Sequence, residues 1–502
     1  MPEKARAITP EQLATLSHEF RTPLNGVLGM ARLLEGTRLT AEQKAYVAAL
    51  RESGDHLLSL VNDVLDLARL GEGRIELHPA PVEAADLLRQ AAELMSTRTQ
   101  EKGVEIAWAV APGLPPVLAD EGRLRQILLN FAGNAVKFTE TGGVLLSAEA
   151  APRRRMRLTV RDTGPGVPAA ARARIFEPFV HADPAHGAAA LGGAGLGLAI
   201  VRRLAEAMGG EVGVSDAPGG GAEFWFEAPF EAAGPAVRAR PLARRVVGIA
   251  SPNSILREGA ARQVESLGGR AVVAADRDAL IAAAPTDAVL LIDNALAGKR
   301  PLRAPEGRAS IILLRPDERG RIAKARAAGF SGYLIKPLRS ASLAARVLAA
   351  VGAEPAAAPS QDDDRAAAAA APGARVLLAE DNPINALLAR TLLQREGAQV
   401  DRAASGEEAV AALAAASYDL VLMDVRMPGM SGVDAALALR ARGVKTPIIA
   451  LTADAFEDDR RACLAAGMDD FLVKPLTESA LRAVLTRWVG WTDAAGEAKV
   501  AS

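Results

Sequence analysis

The sequence has few of the features that mark secreted or membrane proteins. It contains one cysteine, Cys463, among 502 residues, so no intramolecular disulfide framework can form. A chain without disulfides fits a reducing compartment, and we expect a cytoplasmic location. We find no signal peptide and no run of 18 or more apolar residues, so we expect no membrane span.

The chain also has no excess of charge of either sign. Its 59 Lys and Arg residues balance 60 Asp and Glu residues, for a formal net charge of -1. Nucleic acids and anionic membrane surfaces are usually bound by a clear excess of positive charge. We therefore expect neither a nucleic acid nor a membrane among its partners. The length predicts three or four domains, each able to bury its own core.

The first part of the chain has the apolar pattern of two long amphipathic helices, separated by a break at residues 36–38. Thr40 and Gln43 have the spacing of a capping box at the start of the second helix. Two such helices cannot bury their apolar stripes alone. We therefore expect a homodimer in which two helical hairpins form a four-helix bundle.

Beyond the hairpin, strands and helices alternate and predict a multidomain fold. An α/β sandwich with a layer of helices comes first, followed by two doubly wound, five-stranded parallel α/β domains that repeat one rhythm. We predict these boundaries: 1–72 for the hairpin, 73–230 for the sandwich, 231–243 for a linker, 244–352 for the first doubly wound domain, 353–374 for a second linker, 375–492 for the second doubly wound domain and 493–502 for a tail.

A histidine in the first helix has the surroundings of a nucleophile. Glu19 follows His18 directly and can hold one ring N–H, which leaves the other nitrogen free to attack. Pro23 lies in an otherwise helical pattern and should bend the helix one turn beyond the histidine. Because a kink costs stability, its position suggests a conformational use.

The sandwich contains three segments with residue types that bind nucleotides. In residues 130–138, Asn130, Asn134 and Lys137 recur at helical spacing on one face. An amide oxygen can ligate Mg²⁺, and a nearby ammonium can neutralise phosphate. The segment therefore indicates a metal–phosphate site.

The other two segments are rich in glycine. In residues 162–166, the Asp162 carboxylate follows a strand and can accept a hydrogen bond from an adenine amino group. Residues 192–198 open a helix, whose N-terminal N–H groups can bind phosphates. The glycines that permit close approach are Gly164 and Gly166 in the first segment, and Gly193, Gly195 and Gly197 in the second.

These motifs resemble those of sensor histidine kinases. Residues 17–25, SHEFRTPLN, are similar to the phosphoacceptor motif of that family. The resemblance implies that His18 is autophosphorylated, that Glu19 is its acid/base neighbour, and that Thr22 orients water for dephosphorylation.

The three nucleotide segments resemble the N, G1 and G2 boxes of the ATPase fold that these kinases share with gyrase and heat-shock-ninety proteins. Residues 176–179, FEPF, match the F box, which only the kinases carry. The resemblance implies ATP and Mg²⁺ as cofactors, with residues 180–194 as a lid that we expect to be mobile without nucleotide. It assigns Mg²⁺ to Asn134, phosphates to Asn130 and Lys137, and adenine to Asp162.

The last doubly wound domain carries five polar side chains where its predicted strands end: Glu380, Asp381, Asp424, Thr452 and Lys474. Strand C-termini share one crevice in this fold, and three carboxylates repel one another unless a divalent cation binds. The block resembles a response-regulator receiver. The resemblance implies that Asp424 is the phosphoacceptor, that Glu380 and Asp381 hold Mg²⁺ beside it, and that Thr452 and Lys474 contact the phosphoryl group.

The first doubly wound domain lacks this set. Ser251 and Pro252 replace the acidic pair, Leu314 replaces the threonine, and Asp293 stands near the phosphoacceptor position with the alignment offset by one residue. Lys336 is retained. We therefore predict a pseudo-receiver that is not phosphorylated, because Mg²⁺ would have too few ligands.

The last third of the pseudo-receiver is basic, and we expect Tyr333 to end its fifth strand. Guanidinium groups pair with guanine edges, and tyrosine can stack on bases. We hypothesise a cyclic di-GMP site that relieves autoinhibition, formed by Arg319, Tyr333, Lys336, Pro337 and Arg339. A solvated basic face, or a docking face for the kinase domains, is the alternative.

The second linker contains an acidic motif, Asp363, Asp364 and Arg365. It is either a flexible spacer or an autoinhibitory latch whose aspartates dock on a basic surface.

We interpret the whole chain as a cytoplasmic hybrid histidine kinase that transfers phosphate from His18 to Asp424 and on to a phosphotransfer protein or response regulator. Its domain order resembles that of cytoplasmic hybrid kinases that regulate stalk formation in stalked alphaproteobacteria. We see no room for an input domain, so regulation comes from elsewhere in the chain or the sequence is truncated. The alternatives are a gyrase-like ATPase and a non-catalytic signalling scaffold.

Overall fold

The computed structural model describes the chain in separate stretches: 24, 26–31, 34, 37, 39–40, 42–51, 53–54, 57, 77–180, 195–235, 240–298, 301–352, 370–452, 457–474, 476 and 478–489. The described residues between 77 and 352 belong to one compact unit. Those between 24 and 57 and between 370 and 489 belong to another.

Residues 26–31 and 42–51 of the predicted hairpin are helical. The capping box forms as predicted: the Thr40 N–H donates to Gln43 Oε1 at 2.9 Å, and the Gln43 N–H donates to Thr40 Oγ1 at 3.2 Å. Leu28 and Ala31 are buried, as is Val47. The catalytic residues predicted here, His18, Glu19 and Thr22, lie outside the described residues.

The ATPase domain is an α/β sandwich, as predicted. Its elements are β1 (Ala80–Val82), α1 (Ala84–Lys102), β2 (Glu105–Val110), β3 (Val117–Ala119), α2 (Glu121–Phe138), β4 (Gly143–Ala151), β5 (Arg155–Asp162), α3 (Gly197–Ala207), β6 (Glu211–Asp216), β7 (Ala222–Pro229) and β8 (Glu231–Ala232).

The main sheet of this domain has the strand order β2-β4-β5-β7-β6, with β2 at one edge. Helices α1, α2 and α3 bury apolar side chains against one face, in a core that includes Phe131 and Phe226. Asp120 caps the N-terminus of helix α2, and its carboxylate accepts a hydrogen bond from the Arg123 N–H at 3.0 Å. This cap fixes the start of the helix that carries the first nucleotide segment.

The pseudo-receiver follows the doubly wound plan. Its elements are β9 (Val246–Ala250), α4 (Ser254–Ser266), β10 (Arg270–Ala274), α5 (Arg277–Ala283), β11 (Val289–Asp293), β12 (Ser310–Leu314), α6 (Ile322–Ala327), β13 (Gly332–Ile335) and α7 (Ser340–Ala350). All strand pairs are parallel, in the order β10-β9-β11-β12-β13.

The receiver repeats this plan. Its elements are β14 (Arg375–Ala379), α8 (Pro383–Arg395), β15 (Gln399–Ala403), α9 (Gly406–Ala415), β16 (Leu420–Asp424), α10 (Gly432–Ala441), β17 (Ile448–Thr452), α11 (Glu457–Ala465), β18 (Asp470–Val473) and α12 (Glu478–Trp488). The strand order is β15-β14-β16-β17-β18, so the two domains share one topology and one crevice position.

Candidate functional site

The first nucleotide segment and the third meet in the ATPase domain. Asn130, Asn134 and Lys137 lie on α2 at the spacing of one helical face. Gly197, the first residue of α3, lies so close to Asn130 Oδ1 that a Cβ would collide with it. The glycine therefore lets the α3 N-terminus approach the polar face of α2. On that face, burial lowers the pKa of Lys137.

Asp162 has one carboxylate oxygen already engaged by the protein. Its Oδ1 accepts hydrogen bonds from the N–H of Gly164 at 2.8 Å and from the N–H of Ala222 at 3.1 Å. The residue is 4% exposed, and burial raises its pKa although these two N–H groups oppose the shift. The second carboxylate oxygen can accept a hydrogen bond from a bound base. Ala222 was not predicted, because it comes from a distant strand.

Two glycines of the nucleotide segments adopt a backbone conformation that other residues rarely adopt. Gly166 and Gly195 have φ of 78° and 69°, in the left-handed region that favours glycine. The Gly195 carbonyl accepts a hydrogen bond from the Phe179 N–H at 3.0 Å, which joins the F box to the third segment. Gly193 and residues 181–194, most of the predicted lid, lie outside the described residues.

The receiver brings together four of the five side chains predicted at its strand ends, namely Glu380, Asp381, Asp424 and Lys474. One carboxylate oxygen from each of Glu380, Asp381 and Asp424 lies within 4.8 Å of the others. Lys474 Nζ lies 2.5 Å from both Glu380 Oε2 and Asp424 Oδ2. Thr452 is the last residue of β17 and is buried. This cluster of hard oxygen ligands fits a magnesium ion.

Burial and the adjacent Asp424 carboxylate raise the pKa of Glu380, whereas Lys474 opposes the shift. Burial is the largest of these causes. The ammonium therefore stabilises two carboxylates that the fold withdraws from water.

Two side chains that the sequence did not reveal hold the acidic pair. Asn385 Nδ2 donates to Glu380 Oε1 at 3.0 Å. The Arg402 guanidinium donates to the carbonyl oxygens of Glu380 and Asp381 at 3.1–3.3 Å. Asn385 lies in the first turn of α8, only five residues beyond Glu380, but nothing in the sequence marked Arg402.

The pseudo-receiver places Asp293 at the phosphoacceptor position, without the one-residue offset suggested by the sequence. Ile292 pairs with Ala250 as Met423 pairs with Ala379, and the aspartate follows directly in both domains. Asp293 is 1% exposed and accepts a hydrogen bond from Ser251 Oγ at 2.6 Å. The serine thus occupies the place of the first acidic residue.

The predicted ligand face of the pseudo-receiver is engaged by the ATPase domain. Lys336 Nζ contacts Glu105 of β2 and lies 3.2 Å from Asp293 Oδ1. Arg339 Nε lies 2.8 Å from Glu93 Oε1 on α1. These carboxylates were not predicted as partners.

Tyr333 does not end strand five: β13 continues to Ile335. The tyrosine is 4% exposed in the core, with the Arg346 guanidinium 5.2 Å from its ring centroid. Sequence reasoning missed this because the length of a short strand is poorly determined by its pattern. The linker motif Asp363, Asp364 and Arg365 lies outside the described residues.

Three family models match the chain. Residues 11–73 match the His Kinase A (phospho-acceptor) domain, 119–232 match the histidine kinase-, DNA gyrase B- and HSP90-like ATPase, and 376–486 match the response regulator receiver domain. A gyrase-like ATPase would carry neither the His Kinase A domain nor the receiver domain, so this alternative is set aside.

Curated relatives align with nearly the whole chain. Sensor protein GacS of Pseudomonas syringae pv. syringae is 33% identical over 97% of this chain, which covers 56% of GacS. BarA of Escherichia coli (strain K12) is 31% identical, and the chain covers 54% of it. The chain thus spans about half the length of these curated relatives.

The chain is also similar to full-length ShkA, whose crystal structure was solved in complex with AMPPNP. The two sequences are 67% identical, the TM-score is 0.66, and the match covers 96% of this chain and 100% of the ShkA chain. The chain therefore belongs to the hybrid histidine kinases, which are protein-histidine kinases that carry a receiver. In the part of the chain that the structure describes, no helix is both long and apolar enough to cross a membrane.

Proposed function

We propose that ATP bound by residues 73–230 phosphorylates His18 and that Asp424 then accepts the phosphoryl group. The observation that carries this proposal is the convergence of Glu380, Asp381, Asp424 and Lys474 at the receiver crevice. The contact between Gly197 and Asn130 supports the nucleotide half, as does the AMPPNP bound in the related ShkA structure.

Each transfer exchanges one phosphorus bond for another. In the first, a ring nitrogen of His18 attacks the γ-phosphorus and ADP leaves, while Glu19 holds the other ring N–H. In the second, a carboxylate oxygen of Asp424 attacks and the imidazole leaves. Mg²⁺, when bound by Asn134 or by Glu380, Asp381 and Asp424, supplies neutralising charge. Lys474 and Thr452 contact the transferred phosphoryl group, so the catalysis is mostly positional.

The test is autophosphorylation with γ-labelled ATP and Mg²⁺ in the full chain. Asp424→Ala should trap label on His18 as an acid-labile, alkali-stable phosphoramidate, and His18→Ala should take up none. Asp293→Ala serves as the control at the matching position of the pseudo-receiver, where we expect no loss of alkali-labile label. Label that stays alkali-labile in Asp424→Ala would contradict the assigned acceptor.

We also propose that the hairpin forms a homodimer and that a downstream phosphotransfer protein or response regulator receives the phosphate. Val27, Met30 and Leu34 in the first helix, and Tyr46 and Leu50 in the second, are 46–64% exposed although apolar or aromatic. Five such side chains on one hairpin support burial against a second copy. An acyl phosphate at Asp424 is labile, which favours onward transfer.

We further propose that the basic face of the pseudo-receiver binds cyclic di-GMP and that binding relieves autoinhibition. Arg319, Lys336 and Arg339, with Pro337, offer three cations to a phosphodiester. Two of these cations already pair with carboxylates of the ATPase domain. A bound phosphodiester would compete with those carboxylates, which provides a route from ligand to kinase. Stacking on Tyr333 would require its ring to leave the core.

Binding of labelled cyclic di-GMP to the full chain tests this second proposal. Arg339→Ala should weaken binding at least tenfold, whereas Arg277→Ala, which removes an exposed arginine from α5 of the same domain, should not. Kinase activity should rise with the messenger in the control variant. Equal binding by both variants would refute the assigned face.

For the second linker we propose that Asp363, Asp364 and Arg365 form an autoinhibitory latch. The support is the sequence alone: adjacent carboxylates in a linker that joins two regulatory domains. Asp364→Asn should raise autophosphorylation without messenger, and unchanged activity would count against the latch.

A further inference from the structure

The crevice of the pseudo-receiver keeps a lysine but has lost the acidic pair that would accompany it. In the receiver, Lys474 contacts two carboxylates, Glu380 and Asp424, both from its own domain. In the pseudo-receiver, Ser251 and Pro252 follow β9, and within the described part of this domain Asp293 is the one carboxylate that contacts Lys336. A buried ammonium therefore needs a second anion from elsewhere.

Glu105 is that anion. It is the first residue of β2, the edge strand of the ATPase sheet, and its Oε1 accepts a hydrogen bond from Lys336 Nζ. The side chains of Lys336, Asp293 and Glu105 are 5%, 1% and 19% exposed. Burial by itself would lower the pKa of Lys336, but the two carboxylates have the larger combined effect. The pKa of Lys336 therefore lies above the ordinary lysine value.

The surfaces around this contact fit closely. Ile255 of α4 forms a small buried cluster with Ala107 and Leu145 of the ATPase sheet. A Cβ on Gly259 would lie 2.6 Å from the Ala107 Cβ, so only glycine permits this approach. Gln263 Nε2, nearly fully buried, donates to the Trp108 carbonyl at 2.8 Å and to the Leu338 carbonyl at 3.1 Å. This one amide links both domains.

We propose that the disused phosphorylation crevice of the pseudo-receiver is a docking socket for the ATPase domain, in which Glu105 takes the place of the lost acidic partner of Lys336. The partner of this crevice is an acidic strand edge and not a phosphoryl group with its metal. Docking of this kind does not require kinase activity.

A double-mutant cycle in the full chain tests the socket. Hydrogen exchange would be followed by mass spectrometry in peptides that cover β2 and α4, for Glu105→Gln, Lys336→Met and the double variant. Each single change should speed exchange in both peptides at least tenfold, and the double variant should add little to the larger single effect. Glu149→Gln, an exposed glutamate on β4 of the same sheet, should change nothing. Fully additive effects, or none, would overturn the proposal.

The design remains decisive if Lys336→Met disrupts its own domain. Peptides from β11 and β12 report pseudo-receiver folding, and a peptide from the central strand β5 reports ATPase folding. Should β11 and β12 lose protection in that variant, Glu105→Gln alone decides the matter, because its residue lies in the other domain. Faster exchange in α4 with β5 unchanged would then support the socket, and an unchanged α4 would refute it.

Discussion

Lys474 should matter to the stability of the receiver and not only to its chemistry. Lys474→Met removes the ammonium from between Glu380 and Asp424, whose side chains are 2% and 9% exposed. Breaking a buried ion pair by removing one partner costs about 3–5 kcal/mol, because a charge is left without compensation. Taking about 3 kcal/mol, the opening equilibrium of the domain should shift by about a hundredfold.

The assay is hydrogen exchange of the central strand β16 in the full chain, with Lys445→Met as the control. Lys445 is exposed in the same domain, so its loss should leave β16 protection unchanged. Added Mg²⁺ should restore most of the protection lost in Lys474→Met, because a divalent cation neutralises the same carboxylates. Normal β16 protection in the Lys474 variant without Mg²⁺ would refute the reasoning.

The loss of β16 protection in Lys474→Met should also depend on pH. The pKa of Glu380 is raised, so the folded receiver binds this proton more tightly than the unfolded chain does. As the pH falls into the carboxyl range, Glu380 becomes neutral and no longer needs an ammonium. The difference between the variant and the parent should therefore shrink on acidification.

Three further changes test other parts of the chain. Asp162→Asn should abolish nucleotide-induced stabilisation but raise the Tm of the nucleotide-free ATPase domain at neutral pH. The pKa of Asp162 is raised in the folded domain, so the ionised carboxylate destabilises the fold at neutral pH. This destabilisation vanishes when the pH falls below the ordinary carboxyl range. Scanning calorimetry with and without ATP measures both. Gly197→Ala should weaken ATP binding at least tenfold by titration calorimetry, whereas Gly133→Ala, which has open space around it on α2, should leave the fold intact; undiminished affinity in the first would refute the crowding. Leu50→Asp should yield monomers in sedimentation, unlike Leu437→Asp, which is equally exposed in the receiver; a persistent dimer would place the interface elsewhere.

Much of the fold could be predicted because its signals are local. Apolar strand runs followed by polar residues identified both doubly wound sheets, since such runs are buried on two faces. The capping box at Thr40 was readable for the same reason, because its two partners are three residues apart. Strand ends were less certain: β13 ends at Ile335 and not at Tyr333.

What the sequence could not reveal depends on docking between distant segments. Glu105 and Lys336 are 231 residues apart, and although the sequence marked Lys336, nothing around Glu105 marked it as the partner. The equivalence of Asp293 and Asp424 needed the strand register, because an inserted or deleted loop residue shifts an alignment but not a hydrogen-bonded ladder. The burial of Tyr333 likewise depends on packing in a core whose other members include Ala250 and Leu280, far away in the sequence.

The tether between the ATPase sheet and the pseudo-receiver has a thermodynamic consequence of its own. Only residues 233–245 separate β8 from β9, so each domain meets the other at a local concentration on the order of millimolar or above. A partly exposed pair such as Arg339 and Glu93 contributes about 0–1 kcal/mol, which could not hold two separate proteins together. Within one chain the domains lose little translational and rotational entropy on docking, so the same pair adds its full contribution to the contact. A protease that cuts within 233–245 should therefore release the pseudo-receiver on dilution without altering any residue of the interface.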